Sequence, residues 1–132
     1  MKRAAVTRGK VALPRRRERD VQAAILAMLK ARGIPAWKVG SGAFKVDGRY
    51  VRMGQKGMAD IIAIKSIGLI QLGPASAPGR ETVVGQLVAI EVKSKVGKPT
   101  LEQRAFLDTV RKAGGIGIVA RSCDDVVEAL GL

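Results

Sequence analysis

Apolar positions Val21, Ala24, Ile25, Met28 and Leu29 recur at the spacing of one helical face, which predicts a helix from about Arg17 to Arg32, stopped by Gly33 and Pro35. The period then shortens to two. Ala36 to Val39 reads as a strand, and Phe44 to Val46 and Tyr50 to Met53 read as a hairpin across Asp47-Gly48. Two stronger apolar runs follow, Gly57 to Ile64 and Leu87 to Lys93, the latter within a strand that resumes at Val83. Between them Gly68, Gly73, Pro74, Pro78 and Gly79 break the pattern, so about 66–81 is expected to be a long, irregular hairpin loop. Thr100 begins a helix that presents Phe106, Leu107 and Val110 inward and ends near Ala113, before Gly114-Gly115. Ile116 to Ala120 is a short buried strand, Ser122 caps a last helix through Val126, Val127 and Leu130, and Cys123 is expected to serve packing. This order predicts one α/β domain over 17–132, a mixed central sheet flanked by helices.

Charge changes the picture. Lys and Arg number 24 against 11 Asp and Glu, a formal +13 over 132 residues, and Lys2, Arg3, Arg8, Lys10, Arg15, Arg16 and Arg17 concentrate it at the start. Residues 1–16 therefore read as a basic arm, and a polyanion is the expected partner, nucleic acid ahead of a membrane surface. No apolar run approaches the roughly 18 residues of a membrane span, and no apolar signal core opens the chain, so a soluble, cytoplasmic protein is expected. One cysteine forms no internal disulfide, which fits a reducing compartment. The chain has no histidine, which excludes Ser-His-Asp triads, Cys-His nucleophiles and histidine zinc sites. Catalysis, if present, runs on carboxylates, lysine, hydroxyls and metal.

Those groups converge. Asp60 lies near the start of one apolar run and Glu91 near the end of the other, so antiparallel pairing would bring both to one sheet edge, about 5 Å apart. Lys93 is two residues past Glu91 and shares its face. Glu18 is three residues before Val21, on the apolar stripe of the first helix. Its presence has a plain account, since Glu18 and Asp20 both favour the helix dipole, but that account does not explain its facing. Gln103 completes a Thr100-x-x-Gln103 capping box, which explains both residues, and it also stands where a helix N-terminus favours phosphate. Two or three carboxylates at an open edge suit Mg²⁺, which takes oxygen ligands and retains water. Such a metal activates water and polarises a phosphoryl oxygen, beside which a lysine stabilises developing charge. Asp followed by Glu-x-Lys is by itself a weak signal, because strands often end in Glu and Lys for solubility.

The stretches ERDVQAAILAMLKARGIPAWK, GQKGMADIIAI and VAIEVKSKVGKPTLEQRAFLDTVRKAGGIGIVARSCDDV together resemble the virus-type replication-repair nuclease (VRR-NUC) domain of the PD-(D/E)xK nuclease superfamily, over most of residues 18–128. The resemblance implies a restriction-endonuclease-like core in which Asp60, Glu91 and the backbone carbonyl of Val92 hold Mg²⁺ or Mn²⁺. Lys93 would be the catalytic lysine, Glu18 the first-helix carboxylate and further metal ligand, and Gln103 the downstream glutamine. It also implies a homodimeric, structure-selective DNA endonuclease acting on branched DNA in replication or repair, as stand-alone phage and bacterial members do. Arg15, Arg16, Arg17, Lys56, Lys95 and Lys98 are the expected DNA contacts. The sequence departs from the family at Ala59, where a proline is usual, and in the longer 66–81 segment.

Two other functions compete. A nuclease fold that binds DNA without cutting it would show salt-sensitive binding and no metal dependence, but the complete set of site residues argues against it. An RNA-associated basic protein is disfavoured by the scarcity of stacking surface, with only Trp37, Phe44, Tyr50 and Phe106 aromatic.

Overall fold

The structure is a computed structural model that describes residues 17–40, 42–74 and 79–132. The expected basic arm over 1–16, including Arg15 and Arg16, lies outside the described residues.

Among the described residues nine elements follow one another: α1 (Glu18–Ala31), β1 (Ala36–Lys38), β2 (Gly42–Val46), β3 (Arg49–Met53), β4 (Ile61–Leu72), β5 (Arg80–Val92), α2 (Leu101–Lys112), β6 (Ile116–Ala120) and α3 (Cys123–Leu130). Four strands form a sheet in the order β1-β4-β5-β6. β1, β4 and β5 pair antiparallel, whereas β5 and β6 are parallel, joined through α2 as a parallel pair requires. The sheet is therefore mixed and flanked by helices.

Alternation along the strands divides the core in two. On one face Ile61, Ala63, Val88, Ile90 and Ile118 meet Val21, Ile25 and Leu29 of α1 and Val126 and Leu130 of α3. On the other, Ala89 meets Leu107 and Val110 of α2. Ile25, Leu29, Ile61 and Ile90 are fully buried, each contributing about 1.5–3 kcal/mol by removal from water. Cys123 packs at the edge of the first core, as expected. Among the described residues no helix is long and apolar enough to cross a membrane.

The caps follow the sequence. Thr100 Oγ1 accepts from Gln103 N at 3.2 Å while Gln103 Oε1 accepts from Thr100 N at 2.8 Å, and Ser122 Oγ accepts from Asp125 N. Asp47 and Gly48 both have positive φ, 48° and 76°, the backbone that a two-residue type I′ hairpin turn demands.

Two expectations need correction. The segment about 66–81 is mostly strand: β4 runs to Leu72 and β5 starts at Arg80, paired as far as Leu72 with Arg80 across a shift between Ser66 and Gly68. Backbone groups make this ladder, so glycines and polar residues that blur the side-chain pattern do not end it. Conversely, Gly57 to Asp60 precede β4 instead of opening it. Gly57 turns the chain at φ 84°, and a Cβ there would stand 2.7 Å from the backbone carbon of Glu102, so only glycine lets this approach lie against the start of α2.

Candidate active site

The β4–β5 register builds the site. Ile61 is opposite Ile90, which sets Asp60 across from Glu91 at the end of the ladder. Asp60 is held from both sides: its Oδ2 accepts from Val92 N at 2.8 Å, and its carbonyl accepts from Val39 N at 2.7 Å. Glu91 lies on the same face as Ala89, the face that α2 covers, and is only 1% exposed. Lys93 lies just past the strand, its N–H donating to Ala120 O at 2.9 Å, and its Nζ reaches Glu91 Oε1 at 3.0 Å. Glu91 Oε2 is buried and has no hydrogen-bond partner among the described residues. Desolvation pushes the Glu91 carboxyl above the usual carboxylate range. The Lys93 hydrogen bond and charge oppose the rise, and the charges of Asp60 and Glu18 add to it.

Glu18 joins from the first turn of α1. Its Oε1 accepts from Ser94 N at 3.1 Å, so it meets the loop after β5 and is not packed inward as the apolar stripe predicts. The residue is exposed, reaching the sheet end from outside and not from the core. Gly97 closes the arrangement, since a Cβ there would lie 3.5 Å from Glu18 Oε1 and 3.6 Å from Lys93 Cδ. Gln103 occupies its acceptor with its own cap and shares no hydrogen bond with Asp60, Glu91 or Lys93 among those described.

Of the expected DNA contacts, Arg17, Lys56, Lys95 and Lys98 are exposed. Lys56 Nζ pairs with Glu102 at 3.1 Å. Glu102 is held below the usual carboxylate range, first by its own backbone N–H and next by Lys56.

Arg121 emerges only from the fold. Its guanidinium donates to the carbonyls of Ser94 and, at 2.7 Å, Gly97, clamping the loop whose amide holds Glu18. The available clue was positional: β6 pairs Ala120 with Val92, so the next residue, Arg121, must stand beside Lys93.

Among the described residues no group of three or more His, Cys, Asp or Glu side chains is arranged to hold a metal ion. The candidate donor set is smaller: two carboxylates, Asp60 and Glu91, and the backbone carbonyl of Val92, the residue whose N–H donates to Asp60 Oδ2. An ionised carboxylate oxygen buried without a partner is costly, and a hard cation would supply the partner that Glu91 Oε2 lacks. The residues present thus fit a divalent oxygen-seeking cation. Compared with known proteins, the chain matches no family model, no curated protein and no solved structure.

Proposed function

We propose that the chain is a Mg²⁺- or Mn²⁺-dependent DNA endonuclease with a PD-(D/E)xK-type core of the VRR-NUC kind, acting on double-stranded or branched DNA. The observation that carries this reading is the meeting of Asp60, Glu91 and Lys93 at one sheet end, with one buried Glu91 oxygen left unpartnered. Asp60, Glu91 and the Val92 carbonyl would hold the cation, with Glu18 able to join them through water. The bound metal supplies Lewis-acid polarisation of a phosphoryl oxygen and a lowered pKa for its water.

The chain's own groups do the rest. Lys93, anchored on Glu91, would present a cation to the negative charge that develops on the phosphoryl oxygens. Glu18, fixed by Ser94 N, supplies a second acceptor for the attacking water's hydrogen bonds. Gln103 lies in the first turn of α2, where the helix dipole favours a phosphate. Arg17, Lys56, Lys95 and Lys98, with Arg15 and Arg16 from the preceding segment, supply phosphate contacts within a +13 chain. A homodimer fits the exposed apolar side chains of the β4–β5 hairpin, among them Leu69 and Val83.

The test is a cleavage panel of flap, four-way-junction, single-stranded and plasmid DNA with Mg²⁺ and Mn²⁺ in parallel. Metal-dependent cutting of duplex or branched DNA, lost in Glu91→Ala, is expected. Protein that binds these DNAs but leaves all of them intact with either metal would leave the non-cutting nuclease fold as the better reading.

A further inference from the structure

β2 and β3 form a two-stranded sheet separate from the main one, and among the described residues neither packs substantially on another element. A lone hairpin is marginal in water, so this one is expected to gain order from something it touches. From Lys38 to Lys56 the sequence carries Lys38, Lys45, Arg49, Arg52 and Lys56 against Asp47 alone. Residues 45–51 are all exposed, Tyr50 at 77%. Both ends of the excursion lead to the candidate site: Val39, the residue after the end of β1's pairing, bonds the Asp60 carbonyl, and Gly57 delivers the chain back to Asp60.

The two cations at the tip face opposite ways. Lys45 is opposite Tyr50 and lies 5.9 Å from its ring, whereas Arg49 is opposite Val46 on the other face. A ribbon lying flat on a polyanion would use one face. A ribbon seated in a groove between two phosphate backbones uses both, and the major groove of B-form DNA, about 12 Å wide, admits a two-stranded ribbon. Single-strand binding would call for successive stacking rings, and the ribbon's sequence carries only two aromatic residues, Phe44 and Tyr50, one on each strand.

We infer that the β2–β3 ribbon is a duplex-DNA grip that enters the major groove beside the Asp60–Glu91 site, with Lys45 and Arg49 contacting phosphates on opposite sides of the groove. The inference rests on the DNA-directed reading above but not on cutting. It adds a binding element that neither the basic arm nor the charge near Lys95 and Lys98 supplies.

The test is binding of the full chain to a labelled DNA duplex by fluorescence anisotropy, in EDTA so that no cleavage occurs. Lys45→Ala with Arg49→Ala is compared with Lys30→Ala plus Lys112→Ala, which removes the same charge from exposed positions at the far ends of α1 and α2. Circular dichroism melts confirm that both variants fold. The ribbon pair is expected to weaken duplex binding about tenfold and to lower the log-log salt slope by about 1.8, two phosphates at ~0.9 each, while the control pair stays within about twofold. Equal weakening by both pairs, no weakening by the ribbon pair, or a parent chain that does not bind duplex DNA would overturn the inference. So would an equal loss on double-stranded RNA, whose deep, narrow major groove does not admit the ribbon. Cutting by the parent is assayed separately with Mn²⁺. A parent that grips through the ribbon yet never cuts removes the nuclease reading alone, and a parent that cuts while the ribbon pair binds normally removes the grip alone.

Discussion

Lys93 Nζ stands 3.0 Å from Glu91 Oε1, at 15% and 1% side-chain exposure, and among the described residues the second carboxylate oxygen of Glu91 has no partner. The pair is too buried to be a solubility feature of a strand end. It holds a charge where water cannot, which is a cost unless a ligand recovers it.

Removing either side of this pair has separable consequences. Lys93→Ala is expected to abolish cutting and also to destabilise the fold by about 1–3 kcal/mol. That is less than the 3–5 kcal/mol of breaking a fully buried pair, because Glu91 can take up a proton. Adding Glu91→Gln to Lys93→Ala should recover most of the stability and none of the activity. Denaturant melts and plasmid nicking, run on the same preparations, read the two effects; a double variant no more stable than Lys93→Ala would contradict the account.

The raised Glu91 pKa gives a pH dependence with a definite sign. The folded chain holds this proton to higher pH than the unfolded chain does, so the contribution to stability is complete below the unfolded value near 4.5 and is lost as pH rises through the folded value. A divalent cation competes for the ionised form and should restore stability only on the alkaline side. The increase in Tm on adding Mg²⁺ or Mn²⁺ is therefore expected to be larger at pH 7.5 than at pH 4.5, and cutting should fall on the acid side at a pH above 4.5. An increase independent of pH would show that the cation binds elsewhere.

How much of this was legible depends on the kind of pairing that brings the residues together. Asp60, Glu91 and Lys93 could be placed together because alternation and antiparallel pairing are local rules, and the observed Ile61–Ile90 register obeys them. The stripe of α1 put Glu18 on the inward side, whereas it is exposed in the first turn and accepts from Ser94 N, because spacing fixes a direction around a helix and not what covers it. Arg121 was not legible, because its role comes from a parallel register between β5 and β6 across an intervening helix. The separation of β2–β3 from the main sheet was hidden for a related reason: alternation identifies a strand without naming its neighbours. The reach of β4 and β5 past Ile64 was hidden by Gly68 and Gly73, which weaken a side-chain pattern and leave the backbone ladder intact.

Gly57 offers a test of how the approach to Asp60 is held. Gly57→Ala combines a φ of 84° with a contact of 2.7 Å to the backbone of Glu102, so the loop or the start of α2 must move. A cost on the order of 1–3 kcal/mol is expected from the backbone strain, with a larger proportional loss in cutting than in DNA binding. The control is Gly40→Ala, where a Cβ meets nothing within 4 Å. Equal behaviour of the two variants would remove the loop from the site's support.

The β4–β5 hairpin, finally, outruns both its sheet neighbours and its helices. β1 pairs only with 61–63 and β6 only with 88–92, so past Lys65, which donates to Leu130 O, and Gln86, which donates to Gly114 O, the two strands pair only with each other among the described residues. Ile67, Leu69, Ile70, Leu72 and Val83 are 45–68% exposed there. At those exposures they offer on the order of 500 Å² of apolar surface, a large part of the ~800 Å² per partner in a standard interface. In a chain of +13, this hairpin is also nearly neutral: Lys65, Arg80 and Glu81 are the charged residues of 61–72 and 80–90. A second copy, otherwise repelled by like charge, meets least repulsion at this surface, and a two-fold contact would match it with itself. Leu69 and Val83 are opposite one another on one face. Leu69→Lys with Val83→Lys is therefore expected to convert a dimer into a monomer in sedimentation equilibrium, with the main sheet's melting transition retained. A parent chain that is already monomeric at tens of micromolar, or a lysine pair that leaves the dimer intact, would remove this hairpin as the contact between copies.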